Sequence, residues 1–174
     1  VTLLTTERLS LAPVTAADLP DLLALWADAE FTRYISGRAM TEEEVWMRLL
    51  RDIGHWQTLN HGNWTIRETA TGDYVGSVGI FDYRREMTPA FDAPEIGWGI
   101  APRFQGKGIA HEALQAALNW TDQQMSAART VCMISPENSP SIRLAERLGF
   151  TVYARTDYKG SNVILYERPR GSQA

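Results

Sequence analysis

The sequence predicts a mixed α/β protein of about seven strands and about four helices, in the order β-α-α-β-β-β-α-β-α-β-β. Three observations carry that prediction. Short apolar runs, alternating or continuous, are bounded by Gly, Pro or Asp, which is the pattern of strands. Longer segments repeat apolar residues three or four apart, which is the pattern of helices. The two kinds interleave, with no linker-like gap and no internal repeat.

Leu9 and Leu11 alternate with Arg8 and Ser10, so the first strand lies there. Thr15 followed by Asp18 resembles a capping box, and Leu19, Leu22, Leu23 and Trp26 then follow helical spacing, with Pro20 early enough to be tolerated. Thr41 with Glu44 forms a second capping box ahead of Val45, Leu49, Ile53 and Trp56. Thr71-Gly72-Asp73 is a turn signal between two alternating runs, Trp64 to Arg67 and Tyr74 to Phe81. Glu95 to Ile100 reads as a strand ended by Pro102, and Ile109 to Met125 as a helix with Leu114, Ala117, Leu118 and Thr121 on one side. Thr130 to Ile134 is a buried strand. Ser139 is the expected N-cap and Pro140 the N1 residue of a last helix that Gly149 ends. Thr151 to Ala154 and Asn162 to Tyr166 complete the sheet around a Lys159-Gly160 turn.

The 174 residues suggest one domain over residues 1–170, with 171–174 as a tail. Folding would remove roughly 70% of the unfolded surface from water, enough for an ordinary core. Apolar residues at 44% and charged residues at 22% argue against disorder. A net charge of −4, with no basic cluster interleaved with aromatics, argues against a nucleic-acid partner. One cysteine, Cys132, excludes an internal disulfide and a multi-thiolate zinc site. It sits in a hydrophobic strand, where core packing explains it. His55, His61 and His111 lack an H-x-x-x-H pair, so no metal site is expected. No apolar run reaches 18 residues and the start of the chain is polar, so no membrane contact is expected and a cytoplasmic location is.

The chemistry concentrates in Arg103-Phe104-Gln105-Gly106-Lys107-Gly108-Ile109-Ala110, which follows a strand and opens a helix. A helix N-terminus supplies unpaired N–H groups and the positive end of the helix dipole. Gly106 and Gly108 let the backbone approach a ligand, so a phosphate or pyrophosphate fits there. Arg103 and Lys107 can add charge. A P-loop is excluded because Gly108 follows Lys107 with no matching upstream glycine. A Rossmann fingerprint is excluded because His111 stands three residues after Gly108. Spacing alone supports an anion site and a ligand-free glycine-rich helix start about equally.

Arg103-x-x-Gly106-x-Gly108 resembles the R/Q-x-x-G-x-G/A motif of the GNAT superfamily of acetyl-CoA-dependent N-acetyltransferases. Thr6-Glu7-Arg8-Leu9, Glu95-Ile96-Gly97-Trp98, Asn138-Ser139-Pro140-Ser141 and Leu148-Gly149-Phe150 are similar to signatures of its subgroup that includes the ribosomal-protein N-terminal acetyltransferases. The resemblance spans nearly the whole chain. It implies a mostly antiparallel mixed sheet with a splay between the fourth and fifth strands, those ending near Ile100 and Ile134. Pantetheine would lie in that splay, bonded by backbone groups near Ile100. The N–H groups from Phe104 to Ala110, hence Phe104, Gln105, Gly106, Lys107, Gly108, Ile109 and Ala110, would hold the pyrophosphate, and Asn138 the pantetheine arm.

The implied reaction is direct attack of a primary amine on the acetyl thioester in a ternary complex. The acceptor is a protein N-terminus or a small-molecule amine, and the enzyme a monomer or homodimer. An amine near pKa 10 is mostly protonated at neutral pH, so a base is useful. Glu95 is the first candidate; the competing role is an anchor for the strand. Asp92 and the histidines are fallbacks. Many relatives carry a tyrosine seven residues after the asparagine as proton donor, and Ala145 stands there. Ser141 is the substitute, set against a serine that merely satisfies helix N–H groups. Tyr153, Tyr158 and Tyr166 remain further donors. Trp26, Phe31, Tyr34, Trp46 and Trp56 fall where the family builds its acceptor pocket. Ala145 also leaves open a non-catalytic acyl-CoA sensor.

Overall fold

The computed structural model describes residues 2–172. Eight strands and five α-helices form, and the sheet is antiparallel apart from one parallel pair. The chain divides into two compact units, residues up to Gly79 with Trp98–Ala116, and Ile80–Gly97 with the residues from Ala117 onward.

In the first unit, strands β1 (Leu4–Thr5), β2 (Leu9–Pro13), β3 (Asn63–Glu68) and β4 (Tyr74–Phe81, through Gly79 here) pair antiparallel in chain order. Alternation sets the register: Leu9 and Leu11 face inward from β2, Trp64 and Ile66 from β3, and all four are fully buried. Helices α1 (Leu19–Trp26), α2 (Ala29–Thr32) and α3 (Glu42–Leu59) precede β3. Both expected capping boxes form. Asp18 accepts from the Thr15 N–H at 2.9 Å, and Thr41 and Glu44 exchange bonds of 3.2 and 3.0 Å. Val14, Leu22, Leu25, Trp26, Phe31, Val45, Leu49 and Tyr74 make the core beside the helices. The last half of β5 (Glu95–Ile100) and the first half of α4 (Ile109–Gln124) also belong here.

In the second unit, β5 begins parallel to β6 (Arg129–Ile134), with Glu95 opposite Val131. Val131 N–H donates to the Pro94 carbonyl at 2.9 Å. β6 pairs antiparallel with β8 (Ser161–Pro169), and β8 with β7 (Thr151–Tyr158). Lys159 and Gly160, at φ 49° and 81°, make the β7–β8 turn. Helix α5 (Ser139–Arg147) ends before Gly149 at φ 93°.

Three expectations are corrected. β1 and α2 were not predicted, because two- and four-residue elements are too short to show a period. The N-cap of α5 is Asn138, not Ser139: the Asn138 Oδ1 accepts the Ser141 N–H at 3.3 Å. Of the expected tail, Gly171 and Ser172 are held. The Gly171 N–H donates to Asp122 and the Ser172 carbonyl accepts from the fully buried Arg168; residues 173–174 lie outside the described residues. No described helix is long and apolar enough to cross a membrane.

Candidate functional site

The glycine-rich segment is built within the first unit. β5 ends at Ile100, and the Ala101 N–H donates to the Val75 carbonyl at 2.8 Å. Pro102–Phe104 then form a single 3-10 turn. Phe104 N–H donates to Ala101 (2.9 Å) and Gln105 N–H to Pro102 (3.1 Å). These two donors are engaged inside the turn. The Phe104 ring is buried and pins the turn to the core. The Gln105 side chain donates to the Ile100 carbonyl at 3.1 Å, so it shapes the strand end. Gly106 and Gly108 adopt φ 77° and 75°, the left-handed region that favours glycine. Glu112 N–H reaches the Gly108 carbonyl at 3.1 Å and closes the first helical bond. The N–H groups of Ile109 and Ala110 open the helix ahead of it, without intrahelical acceptors. Arg103 and Lys107 are exposed cations 4.4 and 5.8 Å from the Phe104 ring centre.

Three residues the sequence reading did not assign brace this loop. Glu112 accepts from the Thr6 hydroxyl, from the Arg8 N–H (2.9 Å) and from Arg8 Nε (2.8 Å). Arg8 Nη1 donates to the Lys107 carbonyl at 3.1 Å. Burial works to raise the Glu112 carboxyl, but the hydrogen bonds from Thr6 and Arg8 and the Arg8 charge outweigh it and hold it below the usual range. Thr6 and Arg8 belong to a quoted signature, yet nothing in sequence order brings them to a helix more than a hundred residues on.

Glu95 lies in the second unit and is 5% exposed. Both its oxygens are occupied: Arg85 Nε and Nη2 donate at 2.7 and 2.9 Å. Arg85 Nη1 donates to the Tyr158 hydroxyl at 3.2 Å. A carboxylate gripped by a guanidinium fork is a weak proton acceptor, since the charged form is the one stabilised. Cys132, fully buried, has its thiol pushed well up by burial, with the Glu95 charge adding to it, so it is an inert core residue. Asp92, the fallback base, is exposed and paired with Arg129.

Asn138 and Ser141 stand together at the start of α5 in the same unit, with the Asn138 Oδ1 used by the cap. The Ser141 hydroxyl is half-buried and makes no hydrogen bond among the described residues. Ala145, where the resemblance leads one to expect a tyrosine, is fully buried. In the first unit Trp26 and Phe31 are core residues in edge contact, with ring centres 5.1 Å apart. Trp56 packs edge-on to Trp64 at 5.2 Å, Tyr34 stacks with Arg33, and Trp46 is exposed.

Comparison with known proteins shows the family and the fold. The family model described as an acetyltransferase (GNAT) domain matches residues 8–151. The uncharacterized Bacillus subtilis protein YkkB is 30% identical over 172 residues, 96% of this chain and 95% of its own. A GNAT-family acetyltransferase structure from Bordetella pertussis superposes with a TM-score of 0.85 at 34% identity, covering 97% of this chain and 99% of that one. RimL, a ribosomal-protein alpha-N-acetyltransferase solved with coenzyme A, shares the fold at a TM-score of 0.79 and 19% identity, covering 96% and 97%.

Proposed function

The chain belongs to the GNAT acetyltransferase family, and from that premise we propose that it transfers an acetyl group from acetyl-CoA to a primary amine. The observation that supports this best is the loop at Gly106–Ala110. Two glycines in the left-handed region turn the backbone into a 16-residue helix whose first N–H groups are open. Those N–H groups take the diphosphate, and Arg103 and Lys107 add positive charge near it. Phe104 and Gln105 shape the loop rather than bind through their own N–H groups, and backbone groups near Ile100 bond the pantetheine arm. The cap at Asn138 leaves its amide nitrogen for the pantetheine arm. Residues 1–170 act as one acetyltransferase domain, consistent with a family match that runs across both units.

In the reaction, the amine nitrogen attacks the thioester carbonyl carbon, the C–S bond breaks and CoA leaves as thiolate. The amine must shed a proton first or during attack. Because Arg85 occupies both Glu95 oxygens, Glu95 serves to hold the start of β5, and the free amine fraction or ordered water supplies the deprotonated nucleophile. The Ser141 hydroxyl is the group available to protonate the thiolate. A CoA thiol, with a pKa taken as comparable to the ~8.5 of cysteine, is itself a fair leaving group. RimL acts on a ribosomal protein's N-terminus by its description, which makes peptide N-termini the first acceptors to try.

Calorimetric titration with acetyl-CoA, with free CoA and ADP as controls, tests the cofactor. Binding that needs the pantetheine arm supports the reading; a folded protein that binds none of them overturns it. Thiol release with a panel of peptide and small-molecule amines then tests the transfer.

A further inference from the structure

The Arg8 guanidinium has more structure around it than a surface arginine needs. Its Nε donates to Glu112 and its Nη1 to the Lys107 carbonyl, at 2.8 and 3.1 Å. A planar fork held at two corners has little freedom left. The third nitrogen, Nη2, makes no hydrogen bond among the described residues. It lies 3.6 Å from where a Cβ on Gly108 would stand, so it faces the space that glycine keeps open. Glu112 spends its charge on the other edge of the guanidinium, and its three donors from Thr6 and Arg8 keep it ionised.

We propose that Arg8 is a cofactor-binding residue, with Nη2 donating to a diphosphate oxygen of CoA above Gly108 while Glu112 and the Lys107 carbonyl hold it in place. This rests on the reading of Gly106–Ala110 as the diphosphate site. It adds a fixed side chain from just ahead of β2 to the backbone N–H groups and the exposed charges of Arg103 and Lys107. The same grip makes the loop's shape depend on Arg8, because the Lys107 carbonyl between the two glycines is tied to it.

The test compares the affinities of CoA, dephospho-CoA and pantetheine for the wild type, Arg8→Ala and Arg8→Gln by calorimetry. Both variants are expected to weaken CoA and dephospho-CoA about tenfold and to leave pantetheine unchanged. The salt dependence of CoA binding is expected to flatten, since one cation is gone. Should Arg8→Ala fail to fold, Arg8→Gln carries the comparison, and Glu112→Gln, which frees the fork, is expected to weaken CoA by a smaller factor. CoA affinity within twofold of wild type in Arg8→Gln overturns the assignment. So does a loss confined to CoA with dephospho-CoA unaffected, or an equal loss for pantetheine, which would mark a structural role only. A wild type that binds no CoA overturns instead the reading of the loop.

Discussion

Gly108 is constrained by its backbone, not by crowding. The nearest atom to an added Cβ is 3.6 Å away, an ordinary contact, while φ is 75°. A β-branched residue resists that conformation, at a cost of about 1–2 kcal/mol. Gly108→Val is therefore expected to fold, with a modest drop in melting temperature, and to lose acetyl-CoA binding by at least about tenfold. Unchanged affinity in that variant would refute the site. Glu95 answers a different question. Replacing it by Gln leaves a largely buried guanidinium without its carboxylate, so Glu95→Gln is expected to lose about 3 kcal/mol of stability in a denaturant titration. If Glu95 only anchors β5, the pH–rate profile of the surviving enzyme keeps its shape. A rate that recovers at high pH, where more amine is free, would return the base role to Glu95. The sequence showed both glycines and the acidic residue, because motifs mark positions. It did not show Arg85, whose role exists only once residues ten apart meet across a turn.

At the scale of elements, local rules were legible and close approaches were not. The capping boxes at Thr15 and Thr41, the turn at Thr71–Asp73 and the helix stop at Gly149 each rest on chemistry within a few residues, and each formed. The approach of β4 to β5 does not. Gly76, at φ 149°, would place a Cβ 2.1 Å from the Gly99 carbonyl oxygen, and a Cβ added to Gly99 would in turn stand 2.6 Å from the Phe31 ring. In sequence both read as ordinary strand glycines. Gly76→Ala is expected to destabilise the protein by about 2 kcal/mol or more, since backbone rather than a pliant side chain must move. Thermal melts of Gly76→Ala and of Gly72→Ala, whose Cβ meets nothing within 4 Å, separate this clash from left-handed strain alone. An equal loss in the two would argue against the close approach.

Across the whole molecule, the sequence conveyed the order of elements and the family but not the division into two units, which the chain crosses within β4, β5 and α4. That division depends on contact density between distant segments, and no local pattern encodes it. It also hid which charges hold distant segments together. Glu112 ties the start of β2 to the start of α4. Within one segment, Glu44 is held at a pKa of about 2, first by its hydrogen bond from Arg38 and then by the Thr41 N–H. Both carboxyls titrate below their unfolded values, so the unfolded chain binds more protons as pH falls. Their stabilisation is fully present above the unfolded pKa of about 4.3 and is lost as pH falls through the lowered folded values, about 2 for Glu44. The melting temperature is therefore expected to hold steady from neutral pH to about 5 and then decline. Glu112→Gln is expected to start lower at neutral pH and to decline less steeply, because the proton it can no longer take has no effect. Coincident curves for the two proteins would show that the Glu112 clasp contributes nothing to folding. Acetyl-CoA affinity measured over the same range gives the functional counterpart: if Arg8 and Glu112 act together at the loop, affinity in the wild type falls with the clasp, while in Glu112→Gln it starts weaker and varies less.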